Sequence, residues 1–500
     1  MSLAALTPGR FAFTDTPRPG RAGHRITGGQ AAVTVALCLP VALFAVPARM
    51  DPLVAAALVP AAVALALFLR DPTWCVLGVV GTTFFGTYHH SLAVGPVDLR
   101  AADVPLAILM GWALHVRSGH GRVARIDVGQ RQLALLLAVF GVSLLASFNA
   151  VGGQFPALIV SLARLVATFS LVWLVPYAVR SPRQRTFVLQ GTVLLGVAEL
   201  CWAALGYVRQ GDFPGRLFGS NGPNAEGLIA ALVVIAVVNL PLFTPRTRLA
   251  MGLLALACVA QTRSISSVAA LMIVLGFFGL RAASSRNPRT EALLRPARFL
   301  ALVVGGVLIV ASLRPGDLPN QRQFENSSTA SRVTLAYAGL VIFREHPLLG
   351  VGWQRSSAKD VIGSDAVVQA VANRFPNVRA DLLPSGGAVT VHNAYVQVLA
   401  ESGVVGLLVL LAAVVRGRRG IKTLLVRAAP DAATTRTLVA LLALVLIWWN
   451  DNPIFGAQPE SILFALVLGL LAASPRPPRP AQPGRGRPEH VEEPAAPVGA

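Results

Sequence analysis

Arginine guanidinium groups bind phosphate oxygens through paired, charge-assisted hydrogen bonds. Two arginines of this chain sit where a charge needs a reason. Arg216 lies in Gly-Asp-Phe-Pro-Gly-Arg-Leu-Phe-Gly-Ser-Asn-Gly-Pro-Asn, residues 211–224, just before an apolar run. Arg263 lies in Gln-Thr-Arg-Ser and carries the one charge of residues 249–280. Two full membrane spans need about 40 residues, more than this hairpin has, so its tip is expected at headgroup depth or below. A guanidinium there is costly unless it snorkels or meets an anion. Phospholipid phosphate and a lipid-linked diphosphate both fit, and two or three converging arginines would neutralise a diphosphate without a metal.

Further chemistry-bearing residues come later. His392-Asn393-Ala-Tyr395-Val-Gln397-Val-Leu-Ala-Glu401-Ser-Gly403 runs from polar sequence into an apolar span. A histidine at a membrane edge serves as base, acid, phosphate ligand or plain structural residue, while Gln397 and Glu401 stack one helical turn apart. Arg344-Glu345-His346-Pro347-Leu-Leu-Gly350-Val-Gly352 offers glycines for a tight turn. No βαβ pattern surrounds them, so they are not a nucleotide fingerprint. Cys38, Cys75, Cys201 and Cys258 are isolated in apolar stretches and read as packing residues. His89 and His90, adjacent to each other and near Asp98, would point in different directions, so no metal site is expected. No cofactor is expected either.

The elements that must position these groups follow from composition. Hydrophobic residues make up 54% of the 500-residue chain and charged residues 13%, about half the charged share of a soluble domain. Such a chain cannot cover a globular surface with polar groups, which excludes a cytosolic enzyme, a secreted disulfide scaffold and a disordered protein. The net charge is +20, and all but two of the 43 basic residues are arginine. Cationic cytoplasmic loops account for that balance better than nucleic acid does, and no nucleic-acid partner is expected.

Apolar runs fall near 31–48, 52–69, 73–88, 102–116, 132–148, 157–179, 186–206, 223–243, 248–262, 264–280, 298–313, 392–415, 434–450 and 457–473. These predict an all-α polytopic bundle of about 12–14 spans. Residues 1–30 read as a cytoplasmic arm, 31–313 as spans with short loops, 314–391 as a large extracytoplasmic loop, 392–473 as further spans and 474–500 as a disordered cytoplasmic tail. Loops 117–131, 180–185, 244–248, 281–298 and 416–433 are basic, whereas 149–156 and 451–456 hold no basic residue. That alternation puts both termini in the cytoplasm and Arg216, Arg263 and His392 on the outer side of the cytoplasmic membrane. Within the large loop, Ser331–Glu345 reads as a helix with Val333, Tyr337, Leu340 and Phe343 near one face, stopped by Pro347. It fits a helix lying in the interface or an extension of the bundle.

Taken together, these pieces resemble the O-antigen ligase/polymerase family of bacterial membrane glycosyltransferases. The resemblance runs over roughly 200–410, through Arg216-Leu-Phe-Gly219 with Gly222-Pro223-Asn224, Thr262-Arg263-Ser264, Ser331-Arg332 with His346-Pro347-Leu-Leu-Gly350-Val-Gly352, and His392-Asn393-x-Tyr395-x-Gln397 with Glu401-x-Gly403. Ile265 departs from it, since relatives carry small residues after the hairpin arginine. The resemblance implies a GT-C-like, metal-independent transferase. Its donor would be an undecaprenyl-diphosphate-linked glycan and its acceptor a lipid or another glycan. It further implies that Arg216 and Arg263 hold the diphosphate and that His392 contacts the acceptor hydroxyl or the phosphate. Arg332 becomes a further anion contact, and Asn224, Asn393, Tyr395 and His346 become substrate-positioning candidates. The extended motif at His392 favours a ligase over a polymerase. A secondary transporter is the rival from another class, with Glu199 inside a span in its favour.

Overall fold

A computed structural model describes residues 67–85, 91–94, 97–100, 102–119, 128–151, 155–211, 216–240, 243–282, 328–376, 391–427, 432–456 and 458–473. The expected arm 1–30, the spans 31–48 and 298–313, most of the span 52–69, the tail 474–500, and His89 and His90 lie outside the described residues. All described residues belong to one compact unit, Val63–Ala500.

Among the described residues the architecture is a helical bundle. Its principal helices are α1 (Pro72–Phe84), α2 (Asp103–Gly119), α3 (Gln130–Ala146), α4 (Phe155–Ala178), α5 (Pro182–Gln210), α6 (Pro223–Asn239) and α7 (Pro245–Thr262). They continue as α8 (Ile265–Ala282), α9 (Ser328–Glu345), α10 (Asp365–Arg374), α11 (Ala394–Arg427), α12 (Ala432–Trp448) and α13 (Pro459–Ala472). Local chemistry sets several starts. Asp71-Pro72, Ser181-Pro182 and Thr244-Pro245 each put a capping oxygen before a proline in the first turn, and each oxygen accepts a backbone N–H. Ser181 and Gln184 close a reciprocal capping box.

α4, α5 and residues Ala394–Leu425 of α11 are long and apolar enough to cross a membrane, and shorter apolar helices pack around them. Leu194, Trp202 and Leu205 of α5 and Leu408, Leu411 and Val415 of α11 are exposed; for such faces lipid is the fitting solvent. This is a membrane protein. α6 sits at the centre, packed by α5, α7, α8, α12 and α13. Its residues from Ala225 to Val237 are all buried, as expected of a helix apolar on every side. α13, buried throughout, packs along α4, where Gly469 leaves room for Val175 and the Leu171 carbonyl.

The described residues form a helical bundle, as expected, with one local addition, and two further expectations need correction. Ser91–Val94 and Val97–Arg100 form an antiparallel hairpin, pairing Ser91 with Arg100 and Val94 with Val97. A hairpin lets a short connector satisfy its own backbone polar groups. The stretch 416–427, read as loop, continues α11, since arginine and lysine are good helix formers and suit a helix C-terminus. Finally, the apolar face expected on α9 is not the one that packs. Val333 and Leu340 are exposed, whereas Leu335, Ala338, Val341 and Ile342 are buried with Val351, Ile362, Val367, Val371 and Ala400. Close approach of α11 selects that face, because Gly339 leaves no space for a side chain beside Val391 and Val396.

Candidate active site

The loop after α5 carries Arg216 against the end of α7. Leu217 N–H donates to the Gln261 carbonyl at 3.0 Å, and Arg216 Nε donates to the Thr262 carbonyl at 2.8 Å. Arg216 Nη2 reaches Asn224 Oδ1, in the first turn of α6, at 3.3 Å. Asn224, expected to meet substrate, thus steadies the guanidinium.

Arg263 forms the turn between α7 and α8. Its φ of 50° and ψ of 32° are left-handed, uncommon for a residue other than glycine. That single residue reverses the chain, so α8 starts at Ile265. Each helix of the hairpin has 18 residues, about 27 Å of rise, against a hydrocarbon core of about 30 Å. The Arg263 side chain is exposed and makes no hydrogen bond or ion pair among the described residues. Ile265, the departure noted in the sequence, is exposed and displaces nothing. Serines anchor the start of α8. Ser264 Oγ lies 2.9 Å from Ser267 Oγ, which receives Trp448 Nε1 at 3.2 Å and donates to the Asn224 carbonyl at 3.3 Å.

Arg332, in the second turn of α9, is ion-paired with Asp451 in the α12–α13 connection. Asp451 also accepts from Ser266, and Asn452 Nδ2 donates to Ser266 Oγ at 3.3 Å. His392 lies just before α11, with Nδ1 buried and lacking a hydrogen-bond partner among the described residues.

The electrostatics tie these groups together. Burial, then the charges of Arg332 and Arg263, hold the Arg216 guanidinium below its ordinary value. Burial, then the Arg332 charge, pushes His392 down to about 4. Burial raises the Asp451 carboxyl, and the Arg332 charge and hydrogen bonds oppose that shift. Three guanidiniums against one carboxylate leave two positive charges, which matches the two negative charges of a diphosphate diester. The low value favours the neutral imidazole, whose Nδ1 has no hydrogen-bond partner among the described residues.

Arg263 and Arg332 thus act on Arg216, which Asn224 supports, and Arg332 also acts on His392. Asn393 is a helix cap: its Oδ1 accepts Tyr395 N–H and Val396 N–H, each at 3.0 Å, and its Nδ2 donates to the Asn450 carbonyl at 2.7 Å. Tyr395 spends its hydroxyl on the Leu446 carbonyl at 2.7 Å. His346 is exposed just past the far end of α9, about 21 Å along the axis from Arg332, so the helix holds it away from the cluster. Asp451 and Ser266 escaped sequence reasoning. The polar run Asn450-Asp451-Asn452, in a connector without basic residues, is the signal that could have found Asp451.

The family described as O-antigen ligase matches residues 191–411. Exopolysaccharide production protein ExoQ of Rhizobium meliloti (strain 1021) is 30% identical over 162 residues, covering 32% of this chain. The match spans about a third, 34%, of that relative's length. Residues 191–411, from α5 into α11, thus carry the pattern of the O-antigen ligase family.

Proposed function

We propose that the protein is a glycosyltransferase of the cytoplasmic membrane. It would move a glycan from undecaprenyl diphosphate to a lipid or glycan acceptor at the outer face. The observation that carries this is the grouping of Arg216, Arg263 and Arg332, with Arg332 also acting on His392, and a net charge that suits a diphosphate diester. In the reaction, the bond between the anomeric carbon and the diphosphate oxygen breaks, and its electron pair leaves on the diphosphate. The acceptor oxygen forms the new bond to that carbon. Its proton passes to the imidazole of His392, whose Nδ1 is unpartnered. Arg216 and Arg263 stabilise the charge that builds on the leaving group. Arg332, neutralised by Asp451, sets the field between Arg216 and His392. No step calls for a metal.

A ligase reaction, with a lipid acceptor, is the first reading. The likeness to a protein named for exopolysaccharide production favours a second, in which the acceptor is another lipid-linked glycan.

The test uses purified protein in detergent with EDTA and an undecaprenyl-diphosphate oligosaccharide. Acceptor-dependent release of undecaprenyl diphosphate is expected, and the acceptor that works separates ligase from polymerase. Arg216→Ala and His392→Ala should each lower the rate about 100- to 1000-fold. Folded variants that retain full transfer would overturn the assignment.

A further inference from the structure

Behind the Arg216 loop lie two acidic residues that the transfer chemistry does not use. Glu199 of α5 and Glu226 of α6 are both fully buried. Their Oε1 atoms lie side by side beneath one loop, both within 2.8 Å of the place a Cβ of Gly219 would take. Each also accepts a backbone N–H from consecutive residues of one loop: Ser220 N–H donates to Glu199 Oε1 at 2.8 Å, and Asn221 N–H to Glu226 Oε1 at 3.1 Å. Gly219 passes directly over the pair. A Cβ there would lie 2.4 Å from Glu226 Oε1 and 2.8 Å from Glu199 Oε1. On the other side of the loop, Asn221 Nδ2 donates to the Phe84 carbonyl at the end of α1. Among the described residues the Oε2 atoms of both glutamates have no hydrogen-bond partner.

Two buried carboxyls side by side do not both ionise, because like charges in a desolvated place repel. The pair therefore holds a proton, and its oxygens grip the loop four and five residues past Arg216. At the loop's front edge Arg216 and Leu217 are fastened to Thr262 and Gln261. At the back edge the carboxyl pair holds Ser220 and Asn221, and Asn221 is fastened to Phe84.

We propose that Glu199 and Glu226 form a proton-sharing carboxyl clamp that positions the Arg216 loop for the anionic group it binds. Both are positioning residues, since they act through the backbone of Ser220 and Asn221. The clamp rests on the assignment of Arg216 as an anion-binding group. It also gives Glu199, which spoke for transport in the sequence, a place in the positioning of a binding loop.

The test compares amide and aliphatic replacements in the full-length protein in detergent. Glutamine keeps the accepting oxygen and supplies in its N–H what the shared proton supplied. Glu199→Gln and Glu226→Gln should each keep hydrogen-exchange protection of residues 216–224, and transfer within about threefold of wild type. Glu199→Leu and Glu226→Leu orphan a buried N–H, so that segment should exchange about tenfold faster. The donor KM should rise by about the same factor or more, because small displacements of a binding group are costly. Infrared difference spectra check the proton: the carbonyl band of a neutral carboxylic acid should be lost in both glutamine variants, even if a leucine variant fails to fold. Leucine variants that keep exchange protection and donor KM overturn the clamp, and so does an acid band that persists in both glutamine variants. A wild type that shows the exchange and infrared pattern but no donor-dependent transfer supports the clamp and overturns the transferase assignment.

Discussion

The two ends of the motif that opens α11 are built in opposite ways. At His392 the polar groups stay available: among the described residues Nδ1 lacks a partner, and Arg332, which acts on it, also acts on Arg216, to which no carboxylate is bound. Two turns further, at Glu401 and Gly403, the polar groups are consumed by the fold. Glu401 Oε1 accepts from Ser356 Oγ at 2.6 Å, and Gln397 Nε2 lies 3.3 Å from Glu401 Oε2. Gln397 also takes Ile454 N–H at 2.7 Å and gives Nε2–H to the Ile454 carbonyl at 3.2 Å. α11 breaks at Gly403, and the carbonyls this frees are filled by Val351 N–H on Ala400, and by Gly352 N–H and Ser143 Oγ on Glu401. One motif thus holds a reactive end with unspent valences and a buckle with none. Proximity in sequence does not make all of its residues reactive; hydrogen-bond accounting separates the two kinds.

The largest effect that would break this contrast is at the buckle. Gly403 has φ 65° and ψ −164°, a region open essentially to glycine. A Cβ there would sit 2.1 Å from the Leu348 carbonyl oxygen. Gly403→Ala should cost about 3 kcal/mol or more, from backbone strain together with the displaced 347–352 turn. Thermal unfolding in detergent measures it. Arg263→Ala, by contrast, should leave the midpoint alone, because that side chain is exposed and holds nothing. An unchanged midpoint in Gly403→Ala would mean the buckle is not what fastens the loop to α11.

Much of the reactive end was legible from charge alone. Arg216 and Arg263 stood out because the basic loops alternate and these two break the alternation, a one-dimensional signal. The buckle was only half legible. Gly350, Gly352 and Gly403 showed as glycines, but what they make room for lies far away in the chain. Gly350 faces the Glu401 backbone, Gly352 faces Ser147, and Gly403 faces Leu348. The packed face of α9 was misjudged for the same reason, since helical spacing gives a face but not the neighbour that covers it. Asp451 and Glu226 become meaningful only as partners of Arg332 and Glu199, and pairing across helices leaves no trace in spacing. Asn393 and Tyr395 looked polar and available; capping and helix packing use them.

The next effect sharpens the reactive end. His392 is pushed down to about 4, by burial first and the Arg332 charge second. The folded protein therefore favours the neutral imidazole, and the base remains available as pH falls through the ordinary histidine value of about 6.5. kcat/KM, which reports the free enzyme, should hold through pH 6 and fall only near 4. A bound diphosphate brings negative charge to the imidazole and raises its pKa, so the acid limb of kcat should lie at higher pH than that of kcat/KM. Both profiles come from the release assay run across pH. A kcat/KM limb at the ordinary histidine value would put the base in a solvated place and remove His392 from the role.

The smallest effect tests whether exposure and distance outrank motif membership. His346 belongs to a motif as conspicuous in sequence as the one at His392, and a histidine beside an arginine and a glutamate invites a catalytic role. In the structure its side chain is exposed, and its backbone carbonyl takes Gly350 N–H at 3.1 Å. That bond needs only the main chain, so His346→Ala leaves it intact. The expected change is within about 0.5 kcal/mol in stability and within twofold in transfer rate, read in the same two assays as Gly403→Ala. If His346→Ala instead lost transfer as completely as His392→Ala, α9 would have to bring its far end to the cluster during the reaction. The 347–352 turn would then have to let go of α11, and the buckle would be a moving part of catalysis, no longer a fixed support.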